Sequence, residues 1–392
     1  MISRNSINGA FPIKRLGEVV EFLDSQRRPV TESDRRAGTY SYYGANGQQG
    51  TIDDFIFDEP LVLLAEDGGH FGEPERGIAY RISGKTWVNN HAHVLRPTSA
   101  IDLAYLCRVL ENYDVTPFVT GTTRGKLTKA GASEIVIPLP PLPEQRRIAE
   151  VLDRAEALRA KRRTALAQLD SLTQSLFLDL FGDPVSNPKG WPTTTLGDLV
   201  DEFRYGSSNK SASQGRPALR IPNVAGGTID LTDLKLVPVE AAEFERLRLQ
   251  DGDLLFVRTN GNPDFVGRCA VFDSTAATTS GFEGNEFIFA SYLIRARLPA
   301  NIITPVFLRE YLLGAEGRRQ LRSRSKTSAG QFNINTESLG AIPVPLTPLP
   351  LQREFARRVR AVEKLKTAQR ASLAELDALF ATLQHHAFRG EL

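Results

Sequence analysis

Residues 141–184 read PLPEQRRIAEVLDRAEALRAKRRTALAQLDSLTQSLFLDLFGDP, and the chain carries this stretch twice. Sliding by 207 positions turns Pro141-Leu142-Pro143, Gln145-Arg146 and Ala149 into Pro348-Leu349-Pro350, Gln352-Arg353 and Ala356. Glu156, Leu158, Arg163, Leu169-Asp170, Leu172 and Phe181 likewise recur as Glu363, Leu365, Arg370, Leu376-Asp377, Leu379 and Phe388. Self-similarity at a fixed offset fixes architecture before any local motif does. Each copy predicts a long helix. Proline restrains the chain up to Pro143, and then strong helix formers run without Pro or Gly as far as Gly182.

The apolar positions keep helical spacing. Ile148, Leu152, Leu166, Leu169, Leu172 and Leu176 line one face of the first helix, and Phe355, Val359, Leu373 and Leu376 line the second. The stripe is wider than a two-stranded seam, so these residues are expected to meet more than one neighbour, partner subunits included. Both stripes break in mid-helix, at Arg159 and Arg162 and again at Lys366 and Gln369, and antiparallel pairing would join the breaks into a polar waist. About 38 residues at ~1.5 Å each make a rod of roughly 57 Å. Residues 144–180 and 351–387 are therefore expected to be extended rods lying against each other.

The rest of the 392-residue chain falls into two blocks on this frame. Pro12, Leu16-Gly17-Glu18 and Val20 echo as Pro192, Leu196-Gly197-Asp198 and Val200 at an offset of 180. Ile135 and Pro138 echo as Ile342 and Pro345 at 207, while the interiors scarcely match. The expected organisation is α+β: mixed α/β modules at 1–140 and 184–345, joined by helices at 141–183 and 346–392. The helices form an antiparallel coiled coil, an internal pseudo-twofold repeat. Within the first block, residues 40–50 (YSYYGANGQQG) read as an exposed loop, 61–65 as a strand, 87–95 as one alternating strand and 101–110 as a short helix.

Composition is ordinary, with 41% hydrophobic and 24% charged residues and a net charge of +2. No apolar run reaches the ~18 residues of a membrane span, and the N-terminus lacks a signal-peptide pattern, which places the chain in the cytoplasm. Cys107 and Cys269 stand far apart without a CxxC and read as buried thiols. Catalytic signatures are missing. Residues 121–127 are one residue short of a phosphate loop and carry Leu127 where a hydroxyl must reach Mg²⁺. Asn262-Pro263-Asp264 lacks the rest of an amino-methyltransferase motif. His91 and His93 could ligate a metal from one strand face, but with no Cys or acidic cluster nearby in sequence the favoured reading is core or interface histidines.

What remains is binding chemistry. Arg, Lys, Asn and Gln match base edges, while hydroxyls and further cations hold phosphates. The first block offers Asn46, Gln48 and Gln49, then Thr122, Thr123, Arg124 and Lys126. The second offers Ser207, Asn209 and Lys210, then Arg258, Thr259 and Asn260. Its last loop brings Arg322, Arg324, Lys326, Gln331 and Asn333, close in position to the 124–126 loop ahead of the other helix.

With these residues in view, the chain resembles the specificity subunits of type I restriction-modification systems. The Pro-Leu-Pro-x-Gln-Arg start of each helix carries the likeness, with residues 43–47, 87–94, 219–223, 252–255 and 258–261 in family order. The second helix departs in having Leu351 for Glu144 and Phe355-Ala-Arg-Arg for Ile148-Ala-Glu-Val. The resemblance implies a subunit that is itself non-catalytic. Each module would read one half of a bipartite asymmetric site on double-stranded DNA, and the helices would set the gap. Two modification (methyltransferase) subunits would bring S-adenosylmethionine, and two restriction (translocase-nuclease) subunits would bring ATP and Mg²⁺. The chain would hold no cofactor or metal and bind no membrane. A coiled-coil scaffold for proteins, or a self-sufficient methyltransferase, are the competing readings.

Overall fold

The computed structural model describes residues 11–73, 76–121, 125–328 and 330–392. Two uninterrupted helices, Leu142–Phe181 and Leu349–Arg389, contain 40 and 41 residues and span about 60 Å each at ~1.5 Å per residue. Tertiary contacts divide the chain into two compact units, Met1–Thr164 with Arg370–Leu392, and Ala165–Gln369. Both cuts fall inside the long helices, so each unit holds one α/β module and half of each helix.

The helix halves pair antiparallel inside each unit. In the first unit Arg147 reaches the backbone oxygen of Leu392 (2.9 Å) and Arg159 reaches Asp377 (2.6 Å), so rising numbers on one helix meet falling numbers on the other. The second unit repeats this with Asp170 against Lys366 (2.9 Å) and Phe181 against Phe355 (ring centroids 5.3 Å). The mid-helix cations interrupt the apolar stripe at little cost, because each is neutralised within its own unit. Arg159 pairs with Glu156 and Asp377 and lies over the Phe380 ring, and Lys366 pairs with Glu363 and Asp170.

The sequence echoes at offsets 180 and 207 become one device used twice. Strand Ile13–Arg15 pairs with Val136–Pro138, and strand Thr193–Thr195 pairs with Pro343–Pro345. Leu16 N donates to Ile135 O and Leu196 N to Ile342 O, each at 2.8 Å. The shared glutamine of the Pro-rich motif completes the device. Gln145 and Gln352, both 1% exposed, each accept a backbone N–H (Asp102 N, 2.7 Å; Thr304 N, 2.8 Å). Their amides donate back to the carbonyls of Pro140 and Thr347 (2.8 and 2.9 Å). A primary amide has donors and an acceptor to serve both sides at once, and buried backbone groups must be satisfied. This is why glutamine stands at the start of both helices.

Each module is built around a strand buried on both faces. Leu61–Ala65 is apolar throughout because Val62 and Leu64 enter one core while Leu61 and Leu63 enter another. Leu254–Val257 does the same with Leu254 and Phe256 against Leu255 and Val257. The helix expected at 101–110 is Leu103–Glu111, capped by the Asp102 carboxylate.

Three local expectations need correction. Residues 40–50 are not a loop: Tyr40–Gly44 and Gly47–Ile52 form an antiparallel hairpin, with Tyr42 buried and residues 48–51 of the second strand exposed. Residues 87–95 are two strands, Lys85–Val88 and Ala92–Pro97, in different sheets; the chain turns at 89–91, where Asn89 caps His91 N (2.8 Å). The basic run expected in the last loop includes a helix, Ala315–Arg324.

No described helix is long and apolar enough to cross a membrane. Cys107 and Cys269 are free and buried, one in each unit, and burial pushes both thiols up to about 12. A thiolate is the reactive species, and raising the thiol pKa leaves little of it at neutral pH. A thiol reagent at pH 8 should therefore label neither cysteine in the folded protein and both in denaturant. Labelling of the native chain at the rate of a free thiol would contradict this packing.

Candidate nucleic-acid interface

In the second unit the structure joins two polar stretches that lie some 70 residues apart. Thr259–Asn260 pairs with Gln331–Asn333, which in turn pairs with Lys326–Ser328. The small sheet carries Asn260, Lys326, Gln331 and Asn333 together, Lys326 and Gln331 being exposed and the two asparagines half-buried. Thr259 is buried, and its hydroxyl donates to Gln331 Oε1 (3.0 Å), orienting that amide. Arg258 lies over the Tyr205 ring (4.7 Å) and donates to Ser291 O (3.2 Å). Exposed Tyr292 flanks it, its carbonyl accepting from Arg258 N (2.9 Å).

The first unit assembles a smaller polar cluster. Asn46 at the hairpin tip donates to Gly68 O (3.0 Å), and Gln49 accepts from Asn89 (3.2 Å). Lys126 forms an ion pair with Glu66 (3.1 Å), and its strand bridges to Asp67. Gln48 is exposed and bonds locally, to Gly50 O (3.2 Å). Thus Asn46 and Lys126 meet around residues 66–68, while Gln49 is held by Asn89. Thr122, Thr123 and Arg124 lie outside the described residues.

The two histidines have separate duties. His91 Nδ1 bonds Asp67 (2.6 Å), while buried His93 bonds Asp24 (2.7 Å) and, through Nε2, Leu127 O (2.8 Å). Asp24, Glu66 and His93 come close enough to suggest a metal cluster among the described residues. The guanidinium of Arg27 already occupies that place, within 2.6 Å of Glu66 and 3.6 Å of Asp24. His93 Nε2 donates to the Leu127 carbonyl while Nδ1 faces Asp24, so the ring, Asp24, Glu66 and Arg27 together form a hydrogen-bonded ion-pair network.

Comparison with known proteins now bears on this geometry. Residues 10–169 match the family model for the type I restriction modification DNA specificity domain. The chain is 27% identical over 321 residues to the type I restriction enzyme EcoKI specificity subunit of Escherichia coli K12, covering 76% of this chain and 68% of that one. Its likeness is thus to type I specificity subunits. It is also 27% identical to the StySPI specificity subunit of Salmonella potsdam, covering 76% of this chain and 67% of the other. The fold resembles the crystal structure of a type I S subunit from M. genitalium, with a TM-score of 0.63 at 15% identity, covering 97% of this chain and 96% of that one.

On this specificity-subunit fold several expected contact residues take other roles. Ser207 is buried, and its hydroxyl donates to Glu243 (2.8 Å). Asn209 donates to Pro238 O (2.9 Å) and to Glu243 (3.3 Å), so both hold helix Ala241–Leu247. Ser207 and Thr259 are both buried, with their hydroxyls bonded to Glu243 and Gln331 inside the module. Lys210 stays exposed beside them. Arg322 and Arg324 sit on a helix, where Arg322 pairs with Asp264 and Arg324 with Gln320.

The expected partner-facing apolar residues divide in the same way. Ile148, Leu152, Phe355 and Val359 are at most 1% exposed, packed within their own units, and cannot meet a separate subunit. Leu166, Leu169, Leu176, Leu373 and Leu376 are half-buried, and Leu172 is 41% exposed. Only these keep an outward apolar flank.

Proposed function

We propose that this chain is the sequence-reading subunit of a type I restriction-modification complex, each module recognising one half of a bipartite site in double-stranded DNA. One observation carries the reading: residues remote in sequence, Asn260, Lys326, Gln331 and Asn333, converge on one small sheet. Amide side chains can bond a purine edge in bidentate fashion, and Thr259 pre-orients one of them, lowering the entropy lost on contact. The first module would use Asn46, Gln48, Gln49 and Lys126, with Thr122, Thr123 and Arg124 beside them in sequence. The long helices would set the distance between half-sites and offer their outward leucines to two modification subunits. In this reading S-adenosylmethionine belongs to those subunits, and ATP with Mg²⁺ to two restriction subunits, while this chain performs no chemistry.

Modified-base sequencing of host DNA with and without this chain tests the proposal. Adenine methylation at one split sequence should vanish on deletion, and a methylome that did not change would refute the reading. A finer test uses Gln331→Ala in the assembled complex. Losing a bidentate base contact should cost about 1–3 kcal/mol and relax discrimination in one half-site alone. Equal relaxation in both halves would misplace the reading surface.

A further inference from the structure

The second unit contains a cavity of about 880 Å³ whose walls carry Arg268, Arg318, Arg319 and Arg322 against one carboxylate, Asp264. Arg319 is held by Glu316 and Arg322 by Asp264, whereas the other two cations are held, among the described residues, by backbone carbonyls. Arg318 donates to the carbonyls of Val266 (3.1 Å) and Asp264 (2.9 Å), and Arg268 to those of Asp264 (2.9 Å) and Ala225 (3.1 Å). Carbonyls orient a guanidinium but leave its charge in place, so a second anion is still favoured nearby. Repulsion is already felt: burial and the neighbouring Arg268 both press against the charge of Arg318. Gly226 and Gly227 form part of the opposite wall, with open space where a Cβ on Gly226 would sit.

The cavity is continuous with the small sheet. Asn260 caps Asn262 N and Asn262 caps Asp264 N, each at 2.9 Å, so a tight turn runs from the sheet into the arginine wall. Four residues span at most about 14 Å, the axial rise of about four base pairs. One duplex segment can therefore meet both. We infer that this arginine groove clamps backbone phosphates of the DNA whose bases the neighbouring sheet reads, dividing affinity from specificity within the second module. The inference rests on the proposed DNA-reading role. Asp264 acts in the groove as a brake, holding Arg322 when DNA is absent.

The test uses the chain assembled with its modification subunits and a random-sequence DNA duplex titrated across salt concentrations. Arg322→Ala should lower the slope of log affinity against log salt by about one, the signature of one lost phosphate contact. Asp264→Asn should act oppositely, tightening duplex binding about 2- to 5-fold by freeing Arg322. A gain cannot come from misfolding, which separates the effect from damage. Gln331→Ala should leave the salt slope unchanged.

If both groove variants bound the duplex as the parent does, while the parent complex still preferred its own site, the clamp would be wrong and the reading role intact. Equal weakening by both variants would likewise overturn the clamp. So would binding of inorganic tripolyphosphate in the groove without any change in duplex affinity. A parent complex with no sequence preference would remove the reading role and the clamp together.

Discussion

Replacing Phe355 with alanine should cost the second unit about 3–5 kcal/mol, the range for removing a large ring from a closed core. Phe355 is fully buried and meets the edges of Phe177 (5.7 Å) and Phe181 (5.3 Å). Those two rings also pack on Phe307 of the module helix Pro305–Leu313 (5.7 and 4.7 Å). One side chain therefore ties both long helices to the module, and its loss removes aromatic pairs worth about 0.5–1.5 kcal/mol each as well as buried area. The two tryptophans make the measurement clean. Trp87 lies in the first unit and Trp191 in the second, where its indole donates to Phe181 O (2.8 Å). In a Trp87→Phe background, urea unfolding followed by fluorescence reports the second unit alone. Leu172→Ala on the exposed flank should stay within about 0.5 kcal/mol. A loss at Phe355 no larger than that would show that the ring cluster does not hold the unit together.

The second large effect concerns buried charge. Arg295 is 1% exposed, pairs with Glu202, and donates to the carbonyls of Arg246 and Arg248 (3.2 and 3.1 Å). Asp253, 2% exposed, holds Arg297 through two bonds of 2.9 Å and lies 4.0 Å from Arg295. Asp253→Ala should cost about 3–5 kcal/mol, since it leaves two guanidinium groups facing each other without the carboxylate between them. Arg295→Met should cost less, because Asp253 keeps Arg297 and Glu202 keeps Arg204. The reverse order would place the stabilisation in the contacts of Arg295 with backbone carbonyls.

The same cluster sets a dependence on acid. The Arg204 guanidinium holds the Glu202 carboxyl below its ordinary 4.5, against burial, and Arg295 adds to the effect. A carboxyl with a depressed pKa in the fold stabilises above its unfolded value, and the contribution disappears as pH falls through the folded one. The unfolding midpoint should therefore drop as pH is lowered past 4.5, and Glu202→Ala should flatten part of that decline.

Much of the frame was legible in residue order because helix signals are local. A stripe at 3.6-residue spacing, a Pro-rich lead-in and their recurrence after 207 residues need no knowledge of distant partners, and the rods extend only one or two residues beyond each expected end. The apolar run 61–65 announced a strand for the same reason. The motif glutamines were visible as a repeat but not as clamps, since their partners lie about 45 residues upstream.

The binding surface divides along that line. Sequence alone determined the kind of side chain on offer, an excess of amides, hydroxyls and arginines with no complete catalytic motif. Only tertiary structure decided which of them share a surface. Strand partners such as Thr259 and Asn333 are selected by long-range packing, and burial then turned Ser207 and Thr259 inward while leaving Lys326 and Gln331 outside. A hydroxyl in a polar run looks the same in sequence whether it will face solvent or a buried carboxylate, because exposure belongs to the folded neighbourhood and not to the residue.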